Sequence, residues 1–243
     1  MSDTIMRVEK VWKVYRRGEN ILPVLKGIDL DVKEGEFLLL IGPSGSGKTT
    51  LLKLMGLLDL PSSGDMMIDS IWTSELSQSA RARVRNRKIG FVFQSFNLIP
   101  ELTVLENILL PTWIKGGDRS LAKRYAWELL KTVGLEDRAR NRANQLSGGE
   151  MQKVAIARAL INHPSMVLAD EPTGNLDSKS AQQVLELFRN LNKENGQTFV
   201  LVSHNPKHSE IADRVANLID GQIESDRNPS GSGAKAFEKG VGR

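Results

Sequence analysis

The chain has 243 residues, with 33 Lys and Arg against 29 Asp and Glu and a formal net charge of +4. That length suits one large domain or two small ones, and 40% hydrophobic with 26% charged residues is globular composition, which excludes wholesale disorder. The charge is too mild to argue for nucleic acid, and the absence of cysteine removes disulfides and thiolate metal ligands.

At the start of the chain, Met1-Ser2-Asp3-Thr4 has neither a basic n-region nor an apolar h-region, so no secretory signal is expected. The longest uninterrupted apolar run is Phe37–Ile41, far short of the ~20 residues a membrane span needs. Being apolar on both faces, it predicts a buried parallel strand. A glycine-rich stretch, 42–49, and a helical run, 50–55, come next. Ile89–Phe93 repeats the strand signal. The pattern turns helical between 101 and 160, where residues 121–130 recur at helical period and Gly134 offers a stop. Further strands are predicted at 166–169 and Thr198–Val202, with a helix at 178–191 between them. This alternation predicts an α/β protein with a largely parallel sheet and a helical insert. From 226 to 243, four glycines, a proline and two large apolar residues predict a flexible tail.

Three places carry chemistry. Gly42-Pro43-Ser44-Gly45-Ser46-Gly47-Lys48-Thr49 fits G-x-x-x-x-G-K-[ST], set between a strand and a helix as that motif requires. Its glycines let successive N–H groups turn toward an anion, and the following helix adds its positive end. Lys48 is expected at the β- and γ-phosphates and the Thr49 hydroxyl on Mg²⁺. Asp170-Glu171 ends the strand at 166–169, at the edge where such sheets bind ligands. Asp170 is read as a Mg²⁺ ligand and Glu171 as the base for the attacking water; alone, the pair could simply end a strand before the turn at Pro172 and Gly174. Leu146-Ser147-Gly148-Gly149-Glu150 opens a helix at 151–160. It reads either as a second anion site or as a plain serine N-cap.

Together with Gln94 after Gly90-Phe91-Val92-Phe93, Asn175-Leu176-Asp177, and His204 after a strand, these motifs resemble the ATPase subunits of ABC transporters. The similarity runs from about residue 4 to 225. It implies a P-loop NTPase fold with a RecA-like core (4–94 and 164–225), an antiparallel β subdomain and a helical subdomain (95–163). By the same resemblance ATP is held by residues 42–49 and Thr50, with Tyr15 stacked on adenine. Ser147, Gly148, Gly149 and Glu150 face the P-loop of a second copy in a head-to-tail dimer. Gln94 touches Mg²⁺ and water, Asp177 contacts the partner copy, and His204 contacts the γ-phosphate. Each has a plainer reading: a solvated glutamine, a helix N-cap, an idle loop histidine (as His163 and His208 are read) and a packing tyrosine. Glu150 stands where the family usually has glutamine.

The stretches 54–64, 90–100 and 169–177 are similar to the LolD/MacB branch, which powers lipoprotein release and peptide or macrolide efflux. The implied partners are a second copy of the chain and a separate membrane permease, at the cytoplasmic face of the membrane, with no nucleic acid. Apolar residues at 96–102 and Trp113 are candidate permease contacts. The arginine clusters 81–88 and 138–142 read as solvated faces. Two alternatives remain: a non-transporting FtsE-like cell-division ATPase, and a soluble ABC ATPase of DNA repair or translation.

Overall fold

A computed structural model of the chain describes residues 4–18 and 20–229. Its first strands, β1 (Thr4–Arg17) and β2 (Asn20–Lys33), pair antiparallel. Phe37–Ile41 follows as β3, with the bounds the sequence predicts. Two more strands, β4 (Ser63–Ile68) and β5 (Ile71–Trp72), return to the hairpin and complete an antiparallel sheet in the order β2-β1-β4-β5. The second sheet gathers β6 (Ile89–Phe93), β7 (Met166–Asp170), β8 (Thr198–Val202), β9 (Arg214–Ile219) and β10 (Gln222–Arg227) around β3, in the order β10-β9-β3-β8-β7-β6. Every pairing in it is parallel except that of the edge strand β10.

The side chains of β3 show why it has no polar residue. Leu38 and Leu40 enter one core, shared with the antiparallel sheet and α1 (Lys48–Met55). Phe37, Leu39 and Ile41 enter a second core under the helices on the other face. A strand covered on both sides must be apolar at every position. Four helices supply that second cover, while the basic α2 (Gln78–Lys88) packs Val84 against the first core. The four are α3 (Val104–Lys115), α4 (Arg119–Val133), α5 (Gly148–Leu160) and α6 (Ser178–Asn195). Phe188 of α6 meets Phe199 of β8 edge-on with ring centroids 5.1 Å apart, and Phe199 leans on Phe37 at 5.4 Å. All three are fully buried, each contributing about 1.5–3 kcal/mol of transfer free energy. Gly134, in the left-handed region at φ 69, ends α4 where the sequence predicts.

Several boundaries differ from the sequence reading: α1 begins at Lys48 rather than 50, and α6 runs on to Asn195 rather than 191. β7 reaches Asp170, because that residue still pairs with Val202 and Phe93. α5 starts at Gly148 rather than 151, because Ser147 already caps it. Asp226 and Arg227, expected to open a tail, are instead paired in β10, with Arg214 bound to the Asp226 carboxylate. The rest of that expected tail, 230–243, lies outside the described residues.

The parallel sheet brings four sequence-distant points to one edge. The C-terminal ends of β3, β6, β7 and β8 deliver the P-loop, Gln94, Asp170-Glu171 and His204 respectively. Ligands of such sheets bind at that edge.

Candidate active site

Residues 42–47 turn directly out of β3 into α1. Gly47 is the N-cap of α1, at φ 105 and with no side-chain cap, so the first N–H groups of the helix are not satisfied by a protein oxygen from that cap. A Cβ on Gly47 would stand 2.8 Å from Leu25 Cδ2 and 3.0 Å from the Val24 carbonyl. At Gly42 (φ 153) it would fall 2.0 Å from the Leu218 carbonyl, so no other residue fits. The Lys48 ammonium donates to the Gly42 and Pro43 carbonyls at 2.9 and 2.8 Å, folding across the loop it belongs to. Burial pushes its pKa below the ordinary lysine value, against the pull of Glu171 and Asp170. Ser46 Oγ is buried without a partner among the described residues. The loop thus brings the Lys48 cation and the uncapped helix N–H groups to one cavity of about 290 Å³. An oxyanion in it would complement both.

Glu171 and His204 form the opposite wall of that cavity. His204 Nδ1 lies 2.8 Å from Glu171 Oε2. Glu171 sits at φ 47, in the left-handed region that costs a residue with a Cβ about 1–3 kcal/mol. The N–H of Glu171 donates to the Val202 carbonyl at 3.0 Å, which holds it there against β8. Next to it, Thr49 Oγ1 donates to Asp170 Oδ1 at 3.2 Å. Burial first, and then the neighbouring Glu171 charge, push the Asp170 carboxyl above its usual value; the Thr49 hydrogen bond and Lys53 and Lys48 work against them.

The remaining predicted residues are placed around this centre rather than in it. Gln94 lines an adjoining cavity with Thr49 and Asp170, and is locked to Asn175: its Nε2 donates to Asn175 Oδ1, and Asn175 Nδ2 donates to the Gln94 carbonyl, both at 3.1 Å. Tyr15, on β1, donates its phenol proton to Asp59 Oδ2 at 3.0 Å and does not line the P-loop cavity. Asp177 caps α6 through Lys179 and Ser180 N–H groups. Ser147 caps α5 in a reciprocal box: the Ser147 N–H donates to Glu150 Oε2 at 2.8 Å, and the Glu150 N–H to Ser147 Oγ at 3.3 Å. Arg138 binds the same carboxylate at 3.3 Å, so that arginine is paired rather than merely solvated. None of residues 147–150 lines the P-loop cavity of its own chain.

Sequence reasoning missed Val24, which walls the cavity from β2, and gave Asn175 no role. A valine in an antiparallel strand carries no signal that could have marked it. Asn175 stands inside a quoted motif, and its pairing with Gln94 is a spatial fact without a spacing rule. Burial pushes the pKa of both His163 and His208 below the ordinary histidine value, and His163 stacks on Tyr125 with ring centroids 4.0 Å apart.

A family model described as ABC transporter matches residues 25–174. The chain belongs to the ABC transporter family. It is similar to an uncharacterised ABC transporter ATP-binding protein of Thermotoga maritima, 50% identical over 90% of this chain and 94% of that one. It is also similar to the lipoprotein-releasing system ATP-binding protein LolD of Bacteroides thetaiotaomicron, 48% identical over 84% of this chain and 94% of that protein. The macrolide export ATP-binding/permease protein MacB of Syntrophobacter fumaroxidans is 46% identical over 93% of this chain, which spans 32% of MacB. Among solved structures, the dimeric bacterial ABC transporter cassette MJ0796 superposes with a TM-score of 0.83 at 44% identity, covering 92% of this chain and 98% of that one. The same cassette is known as a dimer in a post-hydrolysis state bound to ADP and Pi. The P-loop α/β fold expected from the sequence is therefore that of an ABC ATPase cassette.

Proposed function

We propose that the chain is the ATP-hydrolysing subunit of a membrane transporter of the LolD/MacB kind, acting as two copies on a separate permease at the cytoplasmic face of the membrane. The observation that carries this reading is the single cavity lined by Lys48, Thr49, Glu171 and His204. The P-loop N–H groups and Lys48 bind and orient the triphosphate of ATP. Glu171 takes the proton of the attacking water, and His204, hydrogen-bonded to it, fixes the carboxylate's direction. Thr49 and Asp170 fit Mg²⁺: both are hard oxygen donors, 3.2 Å apart, and few protein ligands suit an ion that shares its shell with phosphates and water. Among the described residues no group of three or more acidic, histidine or cysteine side chains forms a metal cage, in keeping with that sparse donor set. When bound, Mg²⁺ neutralises charge on the phosphate oxygens. Gln94 stands in the adjoining cavity beside Thr49 and Asp170, where it can sense that pair directly while Asn175 holds it in place.

Ser147 to Glu150 and Asp177 serve the cavity of the second copy, since they cap helices outside their own. The permease docks on the groove of about 440 Å³ between α2, α3, α5 and β6, whose walls include Leu58, Phe91, Pro111 and Ile114. Ile99 and Trp113 are exposed, and Ile114 at its rim is 78% exposed. No helix among the described residues is long and apolar enough to cross a membrane, so membrane attachment falls to the partner in this reading. The helical segment comprises α3, α4 and α5, of 12, 15 and 13 residues, too short for the long coiled-coil insertion that soluble ABC ATPases of DNA repair usually carry. The test is Glu171→Gln. It is expected to bind ATP as the wild type does and to hydrolyse it about 10²–10⁴-fold more slowly; turnover near the wild-type rate would remove Glu171 as the base.

A further inference from the structure

Apart from Leu58, which lines the groove described above, the loop after α1 has been given no role, yet it is held unusually firmly. Gly56 ends the helix where any Cβ would strike the Phe91 ring at 2.2 Å, and Leu57 follows in the left-handed region at φ 54. Arg85 Nη1 donates to the Leu57 carbonyl at 2.8 Å. Farther along, the Ser62 N–H donates to the Trp12 carbonyl at 2.8 Å and the Val14 N–H to Ser62 Oγ at 3.0 Å, stitching the loop to β1. Between these anchors sits Asp59. Its Oδ1 accepts from Lys13 Nζ at 2.7 Å and from the Leu60 N–H at 2.7 Å, and its Oδ2 accepts from the Tyr15 hydroxyl at 3.0 Å. Lys13 Nζ also donates to the Leu60 carbonyl at 2.7 Å and stands 4.9 Å from the centre of the Tyr15 ring. Burial raises the Asp59 pKa, but the bonds from Lys13, Leu60 and Tyr15 outweigh it and hold the carboxyl below its usual value.

Tyr15 is 41% exposed. An exposed ring on a strand rotates unless something fixes it, and fixing it before the ligand arrives spares the ordering cost of binding. Here the phenol is tethered at its tip by Asp59, and one region of the ring is covered by an ammonium at cation–π distance. The 41% of the residue that is exposed leaves part of the ring accessible for stacking. The tether has a second consequence. α1 carries Lys48 and Thr49 at its start and delivers Asp59 just past its end, so phosphate cradle and ring are spaced by one rigid helix of about 12 Å.

We propose that Asp59 is the positioning residue of the nucleotide-base platform: with Lys13 it clamps the Tyr15 ring in the orientation that stacks on the base, at a fixed distance from the phosphate cradle. The inference rests on the reading of Tyr15 as the base contact. It assigns a task to the Leu58-Asp59-Leu60 segment and makes purine affinity depend on a residue that touches no nucleotide atom.

The experiment compares ATP with inorganic tripolyphosphate, which has the phosphates and no base. Binding of both is measured by calorimetry on the full chain, together with KM and kcat for ATP, for Asp59→Ala, Asp59→Asn, Tyr15→Phe and Tyr15→Ala. The clamp predicts that Asp59→Ala raises Kd and KM for ATP roughly two- to tenfold, leaves kcat nearly unchanged, and leaves tripolyphosphate affinity unchanged. Tyr15→Phe, which keeps the ring and loses the tether, is expected to weaken ATP in the same selective way. Equal weakening of ATP and tripolyphosphate would mean that Asp59 merely supports the loop, and no weakening of either would mean that it supports nothing; each overturns the proposal. Should Asp59→Ala fail to fold, Asp59→Asn and Tyr15→Phe are read by the same criteria. If Tyr15→Ala leaves ATP affinity unchanged, the base-contact reading itself fails; if it weakens ATP while the tether variants do not, only the clamp fails.

Discussion

Gln94 and Gly174 show how much of a site hangs on one missing methyl group. A Cβ on Gly174 would lie 2.6 Å from Gln94 Nε2, the atom that donates to Asn175. The obstructed atom is the far end of a flexible side chain, so the backbone need not move. Gly174→Ala is therefore expected to melt within a few degrees of wild type and to bind ATP normally. Its kcat should fall several-fold, because Gln94 is turned away from Asn175 and out of its place beside Thr49 and Asp170. A melting scan with a steady-state ATPase assay checks both halves, and an unchanged kcat would mean that the Gln94–Asn175 lock has no part in turnover. At this scale the sequence was informative where chemistry has a fixed spacing: Lys48 and Thr49 follow their glycines because the loop geometry demands it. Tyr15 with Asp59, 44 positions apart, and Gln94 with Asn175, 81 positions apart, are joined only by the fold. No local pattern marks such pairs.

Among the elements, β3, β6 and β8 were legible to the residue because strands buried on both faces are continuous apolar runs. β1 and β2 were not. Their pairing shifts register at four places between Thr4 and Val14, so the two-residue alternation that marks a half-buried strand is interrupted before it can be read. Two helices, α3 and α5, start with the same device, a capping box: Thr103 with Glu106, and Ser147 with Glu150. Thr103→Ala and Ser147→Ala should each cost about 1 kcal/mol of stability, the ordinary loss of a side-chain cap. They should part company in function. Thr103→Ala is expected to keep its ATPase rate, whereas Ser147→Ala loses most of it because its helix N-terminus belongs to the partner's site. Equal rates in the two variants would reduce Ser147 to a cap. The bonded Thr103 and Ser147 backbone N–H groups hold both glutamates below their usual pKa. Their stabilising share is thus complete above the unfolded carboxylate value and is lost as pH falls through the lower folded one.

For the whole molecule, the placement of the half-sites is the decisive feature. The edge of the parallel sheet collects Lys48, Thr49, Asp170, Glu171 and His204 around one cavity, while residues 147–150 stand outside it. In the proposed head-to-tail pair each helix α5 would meet the other's P-loop, and nucleotide between them would contribute contacts that neither copy makes alone. Those contacts are the source of the difference between open and closed pairs that a bound permease can exploit. The sequence motifs made both half-sites visible but not their separation, which follows from the packing of α5 beneath β6 and cannot be read from order along the chain. The most direct measurement is the solution mass of Glu171→Gln by light scattering, with and without saturating ATP. The two-copy site predicts 26.9 kDa without nucleotide and twice that with ATP; a mass that stays at one chain in saturating ATP would contradict it.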